Sequence, residues 1–220
     1  MKTEYQTRML RVLFFVLLLS SFSVYSQTTV PFAKRYETQG INGDLTIIGN
    51  SILGETVDTP YNGDTQNNYI DMVFVDIDND GSTFNSSSAT FSTNRCNRVV
   101  YAGLYWGAMA TPAIPLPEEI KFKIPGGTYQ DITADVTIDR IYYKDVTSLL
   151  SGLNNPSGEY FVANVSTTEG TSSAAGWSLV IVYEDPTESR KFISTFDGFS
   201  AVRNSPNNSV DFAYSGFTTA

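Results

Sequence analysis

The residues whose spacing carries the most chemistry are Asp76-Ile77-Asp78-Asn79-Asp80-Gly81. Carboxylates at every second position, followed by a glycine, are how a loop gathers oxygen ligands around a hard cation such as Ca²⁺. Asp76, Asp78 and Asp80 are the candidate metal ligands, and Gly81 is expected to permit the reversal of the chain. The first half of this segment fits an EF-hand loop and the second half does not. Counted from Asp76, the twelfth position is Ser87, where the EF-hand needs a bidentate glutamate. The segment also follows a strand-like run, Tyr69 to Val75, instead of a helix. An EF-hand is excluded, and a calcium ion here would be structural: it would neutralise three close carboxylates and stiffen the loop. The plain alternative is an Asp/Asn/Gly turn between strands. The hydroxyl-rich stretch from Thr83 to Ala89 has oxygens for the same cation, though loop solvation is the better explanation for it.

A second chemistry that carboxylates support is glycoside hydrolysis, which needs two acids at a defined separation. Glu118-Glu119, Glu184-Asp185 and Asp197 are available, but no spacing singles out an acid and a nucleophile. Pro186 makes Glu184-Asp185 read as a turn after a strand. The chain has no histidine, which removes Ser-His-Asp and Cys-His catalysis, histidine-ligated zinc and histidine pH switches. Its one cysteine, Cys96, removes zinc ribbons and any disulfide within the chain, and reads as a small buried apolar filler. The residues carry no catalytic motif, so the expectation is a protein that is not an enzyme.

The elements that must position these residues are strands. Hydrophobic residues make up 41% of the 220 residues, enough for a packed core. Ile120-Lys121-Phe122-Lys123-Ile124 alternates apolar and basic, the pattern of a half-buried strand, and Pro125-Gly126-Gly127 supplies the turn after it. Trp177 to Tyr183 is β-branched and aromatic, as in a central sandwich strand. Arg98 to Trp106 is similar, with Gly103 marking a bulge or a close approach. Further strands are expected over 44–48, 69–75, 160–165, 191–196 and 209–214. In Val136 to Tyr143 the apolar parity changes, which predicts a bulge or bend at Asp139-Arg140. One short helix is expected near 145–151, capped by Asp145 and stopped at Gly152. Asn, Ser, Thr, Gly and Pro clusters separate the strands. The fold class is all-β: a jelly-roll-like β-sandwich with that one helix.

The first segment reads as an address. Lys2, Arg8 and Arg11 precede eight apolar residues, Val12 to Leu19, and Val24-Tyr25-Ser26 stands before Gln27. This is the signal-peptide pattern over 1–26, too short an apolar run to span a bilayer. The domain reading is therefore a signal peptide, 1–26, and one sandwich domain, 27–220. The chain is still strand-like at Ala220, so that domain is expected to be the N-terminal part of a longer protein. Without residues 1–26 the chain keeps 11 of its 14 basic and 22 of its 23 acidic residues, a net charge of −11. Such a surface repels phosphate backbones, which argues against nucleic-acid partners, and it suits divalent cations.

Several segments are familiar as a set: NNYIDMVFVDIDNDGSTFNSSSAT, RVVYAGLYWGA, FKIPGGTYQDITAD, YYKDVTSLL, GEYFVANV, AGWSLVIVYEDP and FISTFDGFSAV, in this order. The set resembles the N-terminal module of large exported bacterial surface proteins, gliding-motility-type adhesins and other type IX secretion cargo, over nearly all of residues 31–217. The resemblance implies a β-sandwich, a secreted or cell-surface location, and an adhesive or structural role toward surface glycans or proteins. It carries over no catalytic residues. The repeats and sorting domain that often follow such a module do not appear in this sequence. The other function to weigh is a carbohydrate-binding module of a secreted polysaccharide-processing enzyme, which requires an exposed aromatic platform.

Overall fold

The computed structural model describes residues 29–63, 66–93, 97–109, 114, 117–200 and 215. The segment read as a signal peptide, Cys96 and the strand expected over 209–214 lie outside these residues. The chain divides into two compact units, residues 1–29 with 200–211, nearly all outside the described residues, and residues 30–199 with 212–220, to which the architecture below belongs.

Extended segments rich in β-branched and aromatic residues build the frame. The strands are β1 (Thr29–Glu37), β2 (Ile41–Ser51), β3 (Leu53–Gly54), β4 (Val73–Phe74), β5 (Ser86–Phe91), β6 (Arg98–Ala108) and β7 (Glu119–Lys123). They continue with β8 (Gln130–Thr133), β9 (Val136–Ile138), β10 (Ile141–Asp145), β11 (Gly158–Ala163), β12 (Ala175–Glu184), β13 (Arg190–Lys191) and β14 (Ser194–Ser200). One sheet has the order β13-β2-β12-β6-β10-β9 and another β5-β11-β7-β8; β1-β14 and β3-β4 form two-stranded pairs. The fold is all-β and sandwich-like.

The core lies between the two larger sheets. From one side β6 and β12 contribute Leu104, Trp106, Leu179 and Ile181; from the other β7 and β11 contribute Ile120, Phe122, Tyr160 and Val162. Phe91 of β5 meets Tyr183 of β12 edge to face, with ring centroids 5.4 Å apart. The predicted alternation holds in β7, where Ile120 and Phe122 are buried and Lys121 and Lys123 are not. It holds in β12 as well, a central strand paired with β2 on one side and β6 on the other.

In β6 the inward parity changes from Val99 to Ala102, because the ladder with β12 slips between Val182 and Tyr183 and leaves Val100 as an extra residue. The bulge therefore sits at Val100. Gly103 answers the other alternative: a Cβ there would collide with Tyr101 Oη and lie 3.1 Å from Tyr143 Cε2.

The segment from Val136 to Tyr143 differs from its expectation. It is two antiparallel strands, β9 and β10, with Ile138 opposite Ile141. Asp139-Arg140 is the hairpin connection, and Asp139 takes a positive φ of 57° as such a tight turn requires. The strand expected over 69–75 is reduced to β4 after a 3-10 turn, Asn67–Tyr69, and that over 191–196 is split into β13 and β14. The short helix α1 is Thr147–Leu150. Its N-cap is Val146, which makes no side-chain capping bond, and not Asp145 as expected; Asp145, one residue earlier, accepts Thr147 N–H at 2.9 Å, and Leu150 is buried. α1 continues alongside β6 where β10 stops: Val146 N–H donates to Ala102 O, and Ala102 N–H donates to Thr147 Oγ1, both at 2.9 Å.

The pair β1-β14 lies over the outer face of β6 and β10. Tyr36 stacks on Tyr101 at 4.7 Å, and Arg35 sits 5.0 Å above the Tyr143 ring. Arg35 Nε donates to Asp197 Oδ2 at 2.6 Å, and Tyr105 donates to the same oxygen at 3.0 Å. Among the described residues no helix is long and apolar enough to cross a membrane.

Candidate functional site

The loop bearing Asp76, Asp78 and Asp80 leaves the sandwich after β4 and returns at β5. Its neck is stitched by backbone: Val75 N–H to Ile52 O at 2.9 Å, Asp76 N–H to Val57 O at 2.7 Å and Ser86 N–H to Val75 O at 2.8 Å. Asp76 and Ser86 form a parallel bridge. The reversal is made by Asn79, which takes a φ of 51°; Gly81 has no positive φ and open space around it. Asparagine is among the few residues that adopt the left-handed region readily, so the expected role of Gly81 passes to its neighbour.

Ser86, at the start of β5, ties the loop from inside. Its hydroxyl lies 3.0 Å from Asp76 Oδ1 and 2.8 Å from Asp78 Oδ1, and its single proton serves one of them at a time. Its oxygen accepts Ile77 N–H at 3.0 Å and Asp78 N–H at 3.3 Å. The other Asp78 oxygen, Oδ2, accepts from Tyr129 Oη at 2.5 Å and Lys123 Nζ at 3.2 Å. Lys123 ends β7 and Tyr129 stands just before β8, so the four-stranded sheet delivers both donors. Asp80 points away: its carboxylate accepts Ser82 N–H at 2.9 Å, and its carbonyl accepts from Thr83.

Burial works to raise the Asp78 carboxyl, but hydrogen bonds from Tyr129, Ser86, Asp80 N–H and Lys123 hold it below the usual carboxylate range. Burial, and then its hydrogen bond to the Asp78 carboxylate, push the Tyr129 phenol far up, so it stays a proton donor. The Ser82 amide and hydroxyl lower Asp80.

The three carboxylates thus face different partners. Among the described residues no three or more His, Cys, Asp or Glu side chains are grouped to hold a metal ion. Asp76 and Asp78 share Ser86, and Asp80 N–H donates to Asp78 Oδ1 at 3.3 Å, with the Asp78 charge also felt by the Asp80 carboxyl. The donor set around Asp78 is an ammonium, a phenol and a hydroxyl; the first two are proton donors to it, which does not fit a calcium shell of oxygen lone pairs. Sequence reading missed Lys123 and Tyr129; Ser86 lies in the hydroxyl-rich stretch from Thr83 to Ala89 that it places beside the loop. The alternation that places Lys123 on the outward face of β7 was the available signal for the ammonium.

Three of the acids considered for hydrolysis have structural partners. Asp197 is held by Arg35 and Tyr105; its hydrogen bond raises the Arg35 guanidinium pKa against the opposing effect of burial. Glu184 pairs with Arg98 through both oxygens at 3.0 Å. Asp185 is buried, accepts from Asn97 at 3.0 Å and closes the following turn through Thr187. Both indoles are interior: Trp106 is 1% exposed and Trp177 5%. Trp177 Nε1 donates to Ser87 Oγ at 2.9 Å and Trp106 Nε1 donates to Pro117 O, so their polar atoms are also engaged. A shallow cavity of about 360 Å³ opens at one end of the sandwich beside Tyr61, Met72, Met109 and Arg140.

No protein-family model, no curated protein and no solved structure matches the chain.

Proposed function

We propose that the protein is an exported, non-catalytic module that works at the cell surface as an adhesin-like or spacing element, with surface glycans or proteins as partners. One observation supports the reading most. Three of the five carboxylates that hydrolysis would draw on have structural partners: Asp197 has Arg35 and Tyr105, Glu184 has Arg98, and Asp185 has Asn97 and Thr187. A rigid sandwich whose acids hold strands together is suited to bearing or presenting a surface, not to turning over a substrate. The signal-peptide pattern of residues 1–26 and the resemblance to exported surface modules support the location.

The carbohydrate-binding alternative rests on an aromatic platform, and the two tryptophans that would give it most are in the core. Adhesion is the direct test. Cells that make the protein and cells lacking it are compared for attachment to glycan-coated and protein-coated surfaces, and the purified chain is screened for glycan turnover. Weaker attachment without the protein and no turnover are expected. Turnover that Asp197→Ala abolishes would overturn the non-catalytic reading.

A further inference from the structure

We propose that the loop from Asp76 to Gly81 is held by a cation supplied from within the chain, the Lys123 ammonium, so that its fold does not depend on a divalent metal. The loop has the alternate carboxylates of a cation-binding segment, and the structure has a positive charge at the central one. Lys123 Nζ is 3.2 Å from Asp78 Oδ2. It also stands 3.9 Å from the centroid of the Phe161 ring and 4.5 Å from that of Tyr129. Two ring faces and a carboxylate fix the ammonium in place, and each ring attracts a cation through its quadrupole. The Asp78 side chain is 10% exposed and that of Lys123 21%, so the pair is shielded from solvent more than an ordinary surface ion pair.

A divalent ion needs the same electrons. Calcium takes six to eight oxygen ligands, and Asp78 has both oxygens occupied by hydrogen-bond donors, Ser86 and Asp80 N–H on one and Tyr129 and Lys123 on the other. Bringing Ca²⁺ to Oδ2 would place it against an ammonium of the same sign at contact distance. Lys123 therefore excludes the ion as well as replacing it. The loop is anchored to the four-stranded sheet by charge, aromatic contact and the phenol of Tyr129 together, whatever the calcium concentration outside the cell.

Thermal melting of the full chain in EDTA and in millimolar CaCl₂, with amide exchange across residues 77–80, tests this. The two melting curves are expected to coincide. Lys123→Met keeps the aliphatic stem and removes the charge; it is expected to lower Tm by about 2–4 °C for each kcal/mol lost and to speed exchange of the loop amides while β12 stays protected. Lys123→Arg keeps the charge and is expected to retain most of the protection. A Tm that rises in calcium and stops rising in Asp78→Asn would overturn the proposal. So would loop exchange in Lys123→Met equal to that of the unaltered chain.

Discussion

Asp78 is a carboxylate whose role is set by the groups around it. Tyr129 and Lys123 come from distant points in the chain and join Ser86 at the end of the same loop, and their convergence turns an apparent ligand into the anchor of a loop. Gly103 shows the same dependence on neighbours. It lies in a strand because the outer-face rings of Tyr101 and Tyr143 need the space of a side chain there. Gly103→Ala is expected to cost about 1–3 kcal/mol, the range for overpacking, measured by urea unfolding. With Tyr101→Phe, which removes the oxygen that the new methyl would meet, the double variant is expected to cost less than the sum of the two. The sequence pattern identified Asp78 and Gly103 as special but not their reasons. Alternate acids and an interrupted strand are local signals, whereas the Lys123 ammonium and the Tyr129 and Tyr143 rings, arriving from elsewhere in the chain, are not. The left-handed Asn79 illustrates the same limit, since the glycine two residues later was the more obvious candidate for the turn.

At the scale of elements, what could be read was periodicity. β7 and β12 follow their alternation, and α1 forms where Asp145 can take a first-turn amide. The change of parity after Ile138 was visible, but a bulge and a two-residue hairpin give the same pattern along one chain; only the pairing of Ile138 with Ile141 separates them. β5 was read as a loop because it begins Ser86-Ser87-Ser88. Its hydroxyls are paired inside the fold: Ser86 with the acidic loop and Ser87 with the Trp177 indole. A buried hydroxyl with a partner is compatible with a strand, and its partner cannot be read from composition. The pair β1-β14 depends on a charge contact across layers. Asp197→Asn weakens its link to Arg35, whose side chain is 19% exposed against 12% for Asp197. The expected cost is up to about 3 kcal/mol, with faster amide exchange in β1 and β14 and unchanged protection in β12.

For the whole molecule, sixteen glycines and nine prolines punctuate a chain that is mostly strand, and the two larger sheets close on one core. That architecture was legible from apolar runs and turn clusters. Location and use belong to a different kind of signal: a basic and apolar first segment that reads as a leader, an acidic remainder with a net charge of −11 once residues 1–26 are set aside, and segments that resemble exported surface modules. The proposal at this scale is that this sandwich stands outside the cell once residues 1–26 are removed. Protease treatment of intact producing cells, followed by mass spectrometry of the released and retained chain, tests it most directly. The account predicts that the protein is cut from outside while cytoplasmic markers survive, and that its N-terminus begins at Gln27. A chain protected until lysis, with residues 1–26 still attached, would contradict it.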